Sequence, residues 1–158
     1  MKPIATVDGG TIHSEIEIAA PPEAVFHALT TPSELMTWWG APEMYTHDAW
    51  EVDLRVGGRW KSRGHGADQH VFSVEGEYLE VDPPRLLVLT WRASFDGMQQ
   101  TVVRYELAST GAGTRLTLTH SGFGTRAESA KNHSIGWPII MGWLAAHVKA
   151  MAVIGPTW

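Results

Sequence analysis

The sequence contains no cysteine among its 158 residues. Disulfide bonds and thiolate metal ligands are therefore excluded as sources of stability or chemistry. A chain of this composition is compatible with a reducing compartment, and we expect the protein in the cytoplasm. The N-terminal stretch MKPIATVDGG has no apolar segment of the kind that a secretory signal carries, which agrees with that expectation.

Long basic and long apolar runs are also missing. The formal net charge is -5 and the sequence contains no cluster of Lys or Arg, so we predict no nucleic-acid partner. The longest apolar stretch, IGWPIIMGWLAA, is shorter than the roughly 18–20 residues that a membrane helix needs, and it contains a proline. The sequence therefore predicts no membrane span.

Motifs for metal binding or covalent catalysis are absent as well. There are eight histidines, but His65 and His70 lie across a glycine-containing loop, and His133 and His147 are far apart. Neither spacing is typical of a zinc site. The sequence also has no G-x-S-x-G motif. We predict no metal, no cofactor and no catalytic residue.

Tryptophan is abundant, with eight residues, and such large rings usually line cores, pockets or interfaces. Apolar and polar residues alternate over residues 11–20, which predicts a first strand. Proline-initiated helical patterns over 21–29 and 31–39 predict two short helices. Six further strands with short turns between them favour an antiparallel sheet, and they are predicted at 43–54, 59–64, 70–81, 86–94, 99–109 and 114–122.

The last segment predicts a long helix from about residue 126 to about residue 151. Thr125 and Glu128 have the spacing of a capping box, and Gly155 and Pro156 follow the apolar pattern. Pro138 falls inside this helix, where it removes a hydrogen bond and predicts a kink. The helix is apolar on nearly all sides, so we expect it to be buried on more than one side.

Several motifs, taken in order, resemble the homologues of the activator of heat-shock-protein-90 ATPase, a branch of the START-like superfamily that also holds polyketide cyclases. They are IAAPPEAVFHALTTPSELMTWWG, WEVDLRVGGRWKS, VEGEYLEVDPPRLLVLTW, GTRLTLTHSGF and a glycine–tryptophan pair in the final helix. The resemblance implies an α+β helix-grip fold in which a seven-stranded curved antiparallel sheet wraps around the long C-terminal helix, with two short helices between strands one and two. It implies one START-like domain over 1–158, with a core of about 12–151. It also implies a cavity between sheet and helix for apolar ligands, lipids among them.

Strand alternation and the helix pattern indicate which side chains face this cavity. His120 and Tyr105 are polar members of the inward set, for which either a ligand contact or a satisfied buried partner is possible. A Pro138 kink would free the Ser134 carbonyl as a polar anchor, or would only steer the helix around the sheet. The predicted ligand-binding residues are Trp39, Trp60, Phe72, Trp91, Tyr105, His120, Ser134, Ile135, Trp137, Pro138, Ile139 and Met141.

Three functions are compatible with these patterns. The favoured one is the binding of a small hydrophobic or aromatic molecule. The second is a cyclase or aromatase that acts on a polyketide-like substrate in the same cavity, and the third is a chaperone-interacting module, as the family name suggests. The apolar helix, together with Trp38, Trp39 and Trp158, also predicts exposed apolar surface and hence a homodimer.

Overall fold

The computed structural model describes residues 4–154, with side chains for residues 5–151. Eight strands and three α-helices follow one another along the chain. They are β1 (Ile4–Asp8), β2 (Thr11–Ile18), α1 (Pro22–Thr30), α2 (Pro32–Trp38), β3 (Tyr45–Val52), β4 (Arg59–Gly66), β5 (Val71–Asp82), β6 (Leu86–Ala93), β7 (Gln100–Thr110), β8 (Gly113–Ser121) and α3 (Ala127–Ile154).

All eight strands form one antiparallel sheet in the order β1-β2-β8-β7-β6-β5-β4-β3. The α+β class and the helix-grip architecture are thereby confirmed, with one strand more than predicted. The additional strand, β1, reaches β2 through a two-residue turn at Gly9 and Gly10. Both glycines have the positive φ that a type I′ hairpin turn requires, at 57° and 79°.

The inner face of the sheet agrees with the predicted alternation. On β8, the side chains of Leu116, Leu118 and His120 have no exposed surface. Val103 and Tyr105 of β7 lie opposite His120 and Leu118 and are also buried. The period of two along these strands therefore places one continuous apolar face against α3.

Helix α3 continues through Pro138 without interruption. Its inward face buries four large side chains against the sheet, namely Trp137, Met141, Leu144 and Val148. The outward face leaves Ile135 58% exposed and Ile139 37% exposed. The apolar residues of α3 therefore lie on two faces of the helix, and only one of these faces belongs to the core.

Helices α1 and α2 close one end of the sheet. The Trp38 indole Nε1 donates a hydrogen bond to the Ala28 carbonyl at 2.9 Å, which ties the two helices together. Trp38 and Trp39 are only 4% and 8% exposed, so they belong to the core and add nothing to an apolar surface. Trp158, the third tryptophan behind the homodimer prediction, lies outside the described residues. The exposed apolar face of α3 is then the remaining reason to expect a homodimer. The homodimer stays a prediction, which light scattering can test.

Within the part of the chain that the structure describes, no helix is both long and apolar enough to cross a bilayer.

Candidate functional site

A cavity of about 260 Å³ lies between the N-terminal half of α3 and the sheet. Most of its wall is aromatic, formed by Trp39, Tyr45, Trp50, Phe72, Trp91, Phe95 and Trp137. Three histidines also line it, namely His47, His70 and His133. The remaining lining residues are small, apolar or uncharged polar ones, namely Ser62, Val74, Asn132, Gly136 and Ile140.

Strand β3 supplies three of the lining rings because of a β-bulge. His47 pairs with Gly64 and Ala49 with Arg63, so Asp48 is an extra residue without a partner on β4. The bulge shifts the alternation by one position. Tyr45 and His47 before the bulge and Trp50 after it therefore face the same side of the sheet.

Glycine on the neighbouring strand makes room for these rings. A Cβ atom at Gly64 would lie 2.5 Å from the Phe72 ring and 2.9 Å from the Thr46 carbonyl oxygen. No side chain fits at that distance, so the Phe72 ring occupies space that only glycine leaves free. The cavity lining on β4 and β5 therefore depends on a residue with no side chain.

The cavity is open at one end and closed at the other. Phe95, in the short turn after β6, is 61% exposed at the open end. The closed end is formed by Trp39, Trp91 and Trp137, which are 8%, 7% and 1% exposed. A molecule that enters beside Phe95 would therefore end against a layer of indole rings.

These three indole rings form what we call the tryptophan wall, consisting of Trp39, Trp91 and Trp137. The ring centroids are 6.3 Å apart for Trp39 and Trp91, 6.0 Å for Trp39 and Trp137, and 5.3 Å for Trp91 and Trp137. Aromatic pairs at such distances attract one another beyond simple burial. The wall is thus a packed surface against which a planar molecule can lie.

His120 supports the wall from behind and does not line the cavity. Trp137 Nε1 donates to His120 Nδ1 at 2.9 Å, so the His120 proton lies on Nε2, which is 2.7 Å from Thr101 Oγ1. Thr101 Oγ1 in turn donates to the Trp91 carbonyl at 3.1 Å. Burial, with smaller contributions from His133 and Arg126, holds the pKa of His120 well below its usual value. The alternative of a satisfied core histidine is the one that the structure bears out.

His133 differs from His120 in having one unpartnered nitrogen. Its Nδ1 is 2.9 Å from the Ser129 carbonyl oxygen, which can only accept, so Nδ1 carries the proton of the neutral ring. Its Nε2 is buried without a hydrogen-bond partner. Burial lowers the pKa of His133, although the Ser129 carbonyl and Asp96 oppose that shift. The neutral ring therefore offers a buried acceptor.

Two indole nitrogens of the lining share this property. Trp50 Nε1 and Trp91 Nε1 are both buried without a partner. A buried donor left unpaired costs roughly 1–3 kcal/mol, so a polar group brought by a ligand or by water would lower the free energy of the site. Hydrogen-bonding capacity is thus left open at an otherwise apolar cavity.

Tyr45 and His47 are tied to the tryptophan wall. His47 Nδ1 donates to the Trp39 carbonyl at 3.0 Å, and Trp39 Nε1 is 3.3 Å from the Tyr45 hydroxyl. Burial lowers the pKa of His47 and raises that of Tyr45. Both side chains are therefore uncharged polar groups at neutral pH, held in place by Trp39.

Charge and metal binding are not features of this cavity. No Asp, Glu, Lys or Arg is among its lining residues. Within the described side chains, no three His, Cys, Asp or Glu residues come together as metal ligands would. What the lining offers chemically is apolar ring surface with a few neutral hydrogen-bonding groups.

Four predicted ligand-binding residues line the cavity, and the others lie elsewhere. Trp39, Phe72, Trp91 and Trp137 are in the lining. Behind the tryptophan wall, Trp60 and Tyr105 border a separate void of about 20 Å³, where burial raises the pKa of Tyr105.

The predicted residues of α3 are mostly outside the cavity. Met141 is buried in the core. Ser134 borders a shallow depression beside β1, and its hydroxyl donates to the Lys131 carbonyl. On a helix of 3.6 residues per turn, Pro138 lies on the side turned away from Gly136 and Ile140, and Ser134 lies at the edge of that side, towards β1. The cavity lining includes none of Ser134, Ile135, Pro138 and Ile139.

Many of the lining residues that the sequence did not indicate come from β3 and from the first turns of α3, and others, such as His70 and Phe95, come from loops next to the sheet. Tyr45, His47 and Trp50 face the same side because of a β-bulge, and no sequence pattern predicts that bulge. His133 and Gly136 share a helix face with Trp137 at i, i+3 and i+4 spacing. That spacing from Trp137 is the signal that could have found them.

Comparison with known proteins agrees with this fold. The sequence profile of the family described as activator of Hsp90 ATPase homolog 1-like protein matches residues 19–149. No curated protein matches the chain. Protein CV1439 from Chromobacterium violaceum is 29% identical, with a TM-score of 0.79 over 89% of this chain and 97% of that one.

Two further solved structures carry the family description themselves. The AHSA1 protein SPO3351 from Silicibacter pomeroyi is 28% identical, with a TM-score of 0.76 over 89% of this chain and 98% of that chain. The AHSA1-like protein from Aeromonas hydrophila is 25% identical, with a TM-score of 0.73 over 89% and 92%. The family profile spans most of the chain, and the fold and the motif order agree with it. The protein therefore belongs to the family of activator of Hsp90 ATPase homolog 1-like proteins.

Proposed function

We propose that the protein binds a small, uncharged, planar molecule in the cavity between α3 and the sheet. The observation that carries this proposal is the lining itself. Seven aromatic rings surround about 260 Å³ of space, and the lining residues include no Asp, Glu, Lys or Arg. Apolar walls with a few polar groups are the usual composition of a small-molecule site.

The size of the cavity limits the ligand. A volume of about 260 Å³ corresponds to roughly eight or nine waters at about 30 Å³ each. This is near the lower end of known ligand pockets. A compound of one or two fused rings fits that space, whereas a long-chain lipid would extend out beside Phe95.

Naphthalene is a suitable probe, and two glycines of α3 provide a matched pair of variants. A Cβ atom would meet nothing within 4 Å at either Gly136 or Gly142, but only Gly136 lines the cavity. A leucine at position 136 therefore projects into the cavity, and one at position 142 does not. Both substitutions favour the helix by about 1 kcal/mol, so both variants should fold.

We expect naphthalene to shift the indole N–H resonances of Trp39, Trp91 and Trp137 in proton–nitrogen correlation spectra. Gly136→Leu should weaken binding at least about tenfold, because one buried contact surface is replaced by a clash. Gly142→Leu should leave affinity unchanged. Equal binding by both variants, or no shift of the wall resonances at the solubility limit of naphthalene, would contradict the proposed function.

A further inference from the structure

The unpartnered nitrogens of His133 and Trp91 belong to neighbouring rings of the cavity. The two ring centroids are 6.2 Å apart and the planes meet at 76°. His133 Nε2 and Trp91 Nε1 are each buried without a hydrogen-bond partner. The pair therefore forms a potential polar subsite inside the apolar lining.

The two nitrogens require opposite partners. His133 Nδ1 carries the ring proton because it faces the Ser129 carbonyl, so Nε2 of the neutral ring can only accept. An indole Nε1 can only donate. One group that both donates and accepts would satisfy both nitrogens, and a hydroxyl is the smallest ligand group with that property.

The surroundings hold the His133 and Trp91 rings in these roles. Ser129, whose carbonyl fixes the His133 tautomer, also donates its hydroxyl to Asp96 at 2.8 Å. The Phe95 ring stacks on His133 with centroids 5.8 Å apart. Trp91 is held within the tryptophan wall. The acceptor and the donor thus come from two rigid elements, α3 and β6.

We propose that the ligand of this cavity is an aromatic alcohol of the phenol or naphthol class. Its hydroxyl donates to His133 Nε2 and accepts from Trp91 Nε1, while its rings lie against the tryptophan wall. Both nitrogens are buried in the structure, so a small rotation of the His133 and Trp91 rings accompanies the entry of the hydroxyl. This inference rests on the proposed function, because it names the ligand class of the same cavity.

Other ligand groups fit the subsite less well. A carboxylate would be buried without a cation, because no Lys or Arg lines the cavity. An ammonium group would face the Trp91 N–H and would find no carboxylate in the lining. An ether or a ketone accepts from Trp91 but gives His133 no donor.

The test compares naphthalene, 2-naphthol and 2-methoxynaphthalene on the same protein, by titration of the indole N–H resonances. We expect 2-naphthol to bind about tenfold tighter than either of the others, since only its hydroxyl satisfies both buried groups. The Trp91 resonance, identified through its loss in Trp91→Phe, should move further with 2-naphthol than with naphthalene.

Three variants test which residues cause the tighter binding of 2-naphthol. His133→Phe and Trp91→Phe should each reduce the advantage of 2-naphthol over naphthalene to about twofold or less. His13→Phe, which alters an exposed histidine of β2 outside the cavity lining, should leave that advantage intact.

The possible outcomes separate this inference from the proposed function. Equal affinity of the unaltered protein for naphthalene and 2-naphthol would overturn the hydroxyl inference and leave the binding cavity standing. Equal affinity for 2-naphthol and 2-methoxynaphthalene would overturn the part of the inference in which the ligand hydroxyl donates to His133 Nε2. Failure of all three compounds to bind would overturn both. These comparisons use the unaltered protein, so they do not depend on the folding of any variant.

Discussion

The two sides of the tryptophan wall are both rich in aromatic side chains, but they differ in packing. On the side of α3 and β3 lies the cavity of about 260 Å³. On the other side, the void bordered by Trp60 and Tyr105 is about 20 Å³, less than the roughly 30 Å³ that one water takes up in the liquid. Both regions are lined largely by aromatic rings, so an aromatic lining alone does not distinguish a core from a binding site.

Hydrogen bonds do distinguish the two sides. Behind the wall, Trp60 Nε1 donates to the Thr90 carbonyl at 3.1 Å, and both ring nitrogens of His120 have partners. In the cavity lining, Trp91 Nε1 and His133 Nε2 have none. Because buried polar groups in proteins are nearly always paired, two unpaired nitrogens on neighbouring rings of one cavity favour a ligand group between them.

The largest expected effect is a difference in stability between variants of His120 and variants of His133. His120→Leu removes the acceptor of the buried Trp137 N–H and should lower the free energy of unfolding by about 1–3 kcal/mol. His133→Leu removes one unpartnered nitrogen and one hydrogen bond, from Nδ1 to the Ser129 carbonyl, and should lower it by about 1 kcal/mol or less. Urea unfolding of both variants measures the difference. Equal costs would mean that the pairing of these histidines does not distinguish core from site.

A second effect concerns pH. Burial lowers the pKa values of His120, His133 and His47 in the folded protein below 6.5, the ordinary histidine value. Below about pH 6.5 the unfolded chain therefore binds more protons than the folded one, and stability falls as the pH falls. Each histidine that stays neutral in the folded state contributes up to about 1.4 kcal/mol per pH unit.

Urea unfolding between about pH 7 and about pH 5.5 measures mainly this contribution, because ordinary carboxylates titrate more than one pH unit lower. His120→Leu should reduce the slope in this window. A slope that is unchanged in His120→Leu would show that His120 takes up its proton equally in both states.

The smallest expected effect is that of Pro138→Ala. Pro138 lies on the helix face turned away from the cavity, and α3 is continuous through it. Alanine restores an N–H towards the Ser134 carbonyl, so we expect stabilisation by about 1 kcal/mol or less and naphthalene affinity unchanged within about twofold. Weaker binding in a correctly folded Pro138→Ala protein would restore the idea that the kink supplies a polar anchor.

Strand periodicity predicted most of the fold because it is a local property. Leu116, Leu118 and His120 alternate without interruption, and all three are buried as predicted. The Gly9–Gly10 turn of β1 is also local, but the strand that precedes it has only five residues and a weak pattern. The inner face of an uninterrupted strand can thus be identified from the sequence.

The site could not be predicted as well, because it depends on contacts between distant residues. Helix α3 is apolar on both faces, so its pattern did not separate Gly136 and Trp137 from Ile135 and Ile139. The partner of His120 is an indole 17 positions away. Without that contact, a satisfied histidine and a ligand-facing one look the same in the sequence.

The bulge at Asp48 makes one position of β3 dispensable for the register of the sheet. His47 and Ala49 pair with consecutive residues of β4, so deleting Asp48 would leave these pairings unchanged and would keep Tyr45, His47 and Trp50 on the cavity face. Libraries for new specificities could therefore change the length of β3 at this position, as well as its side chains, without turning the lining rings out to solvent.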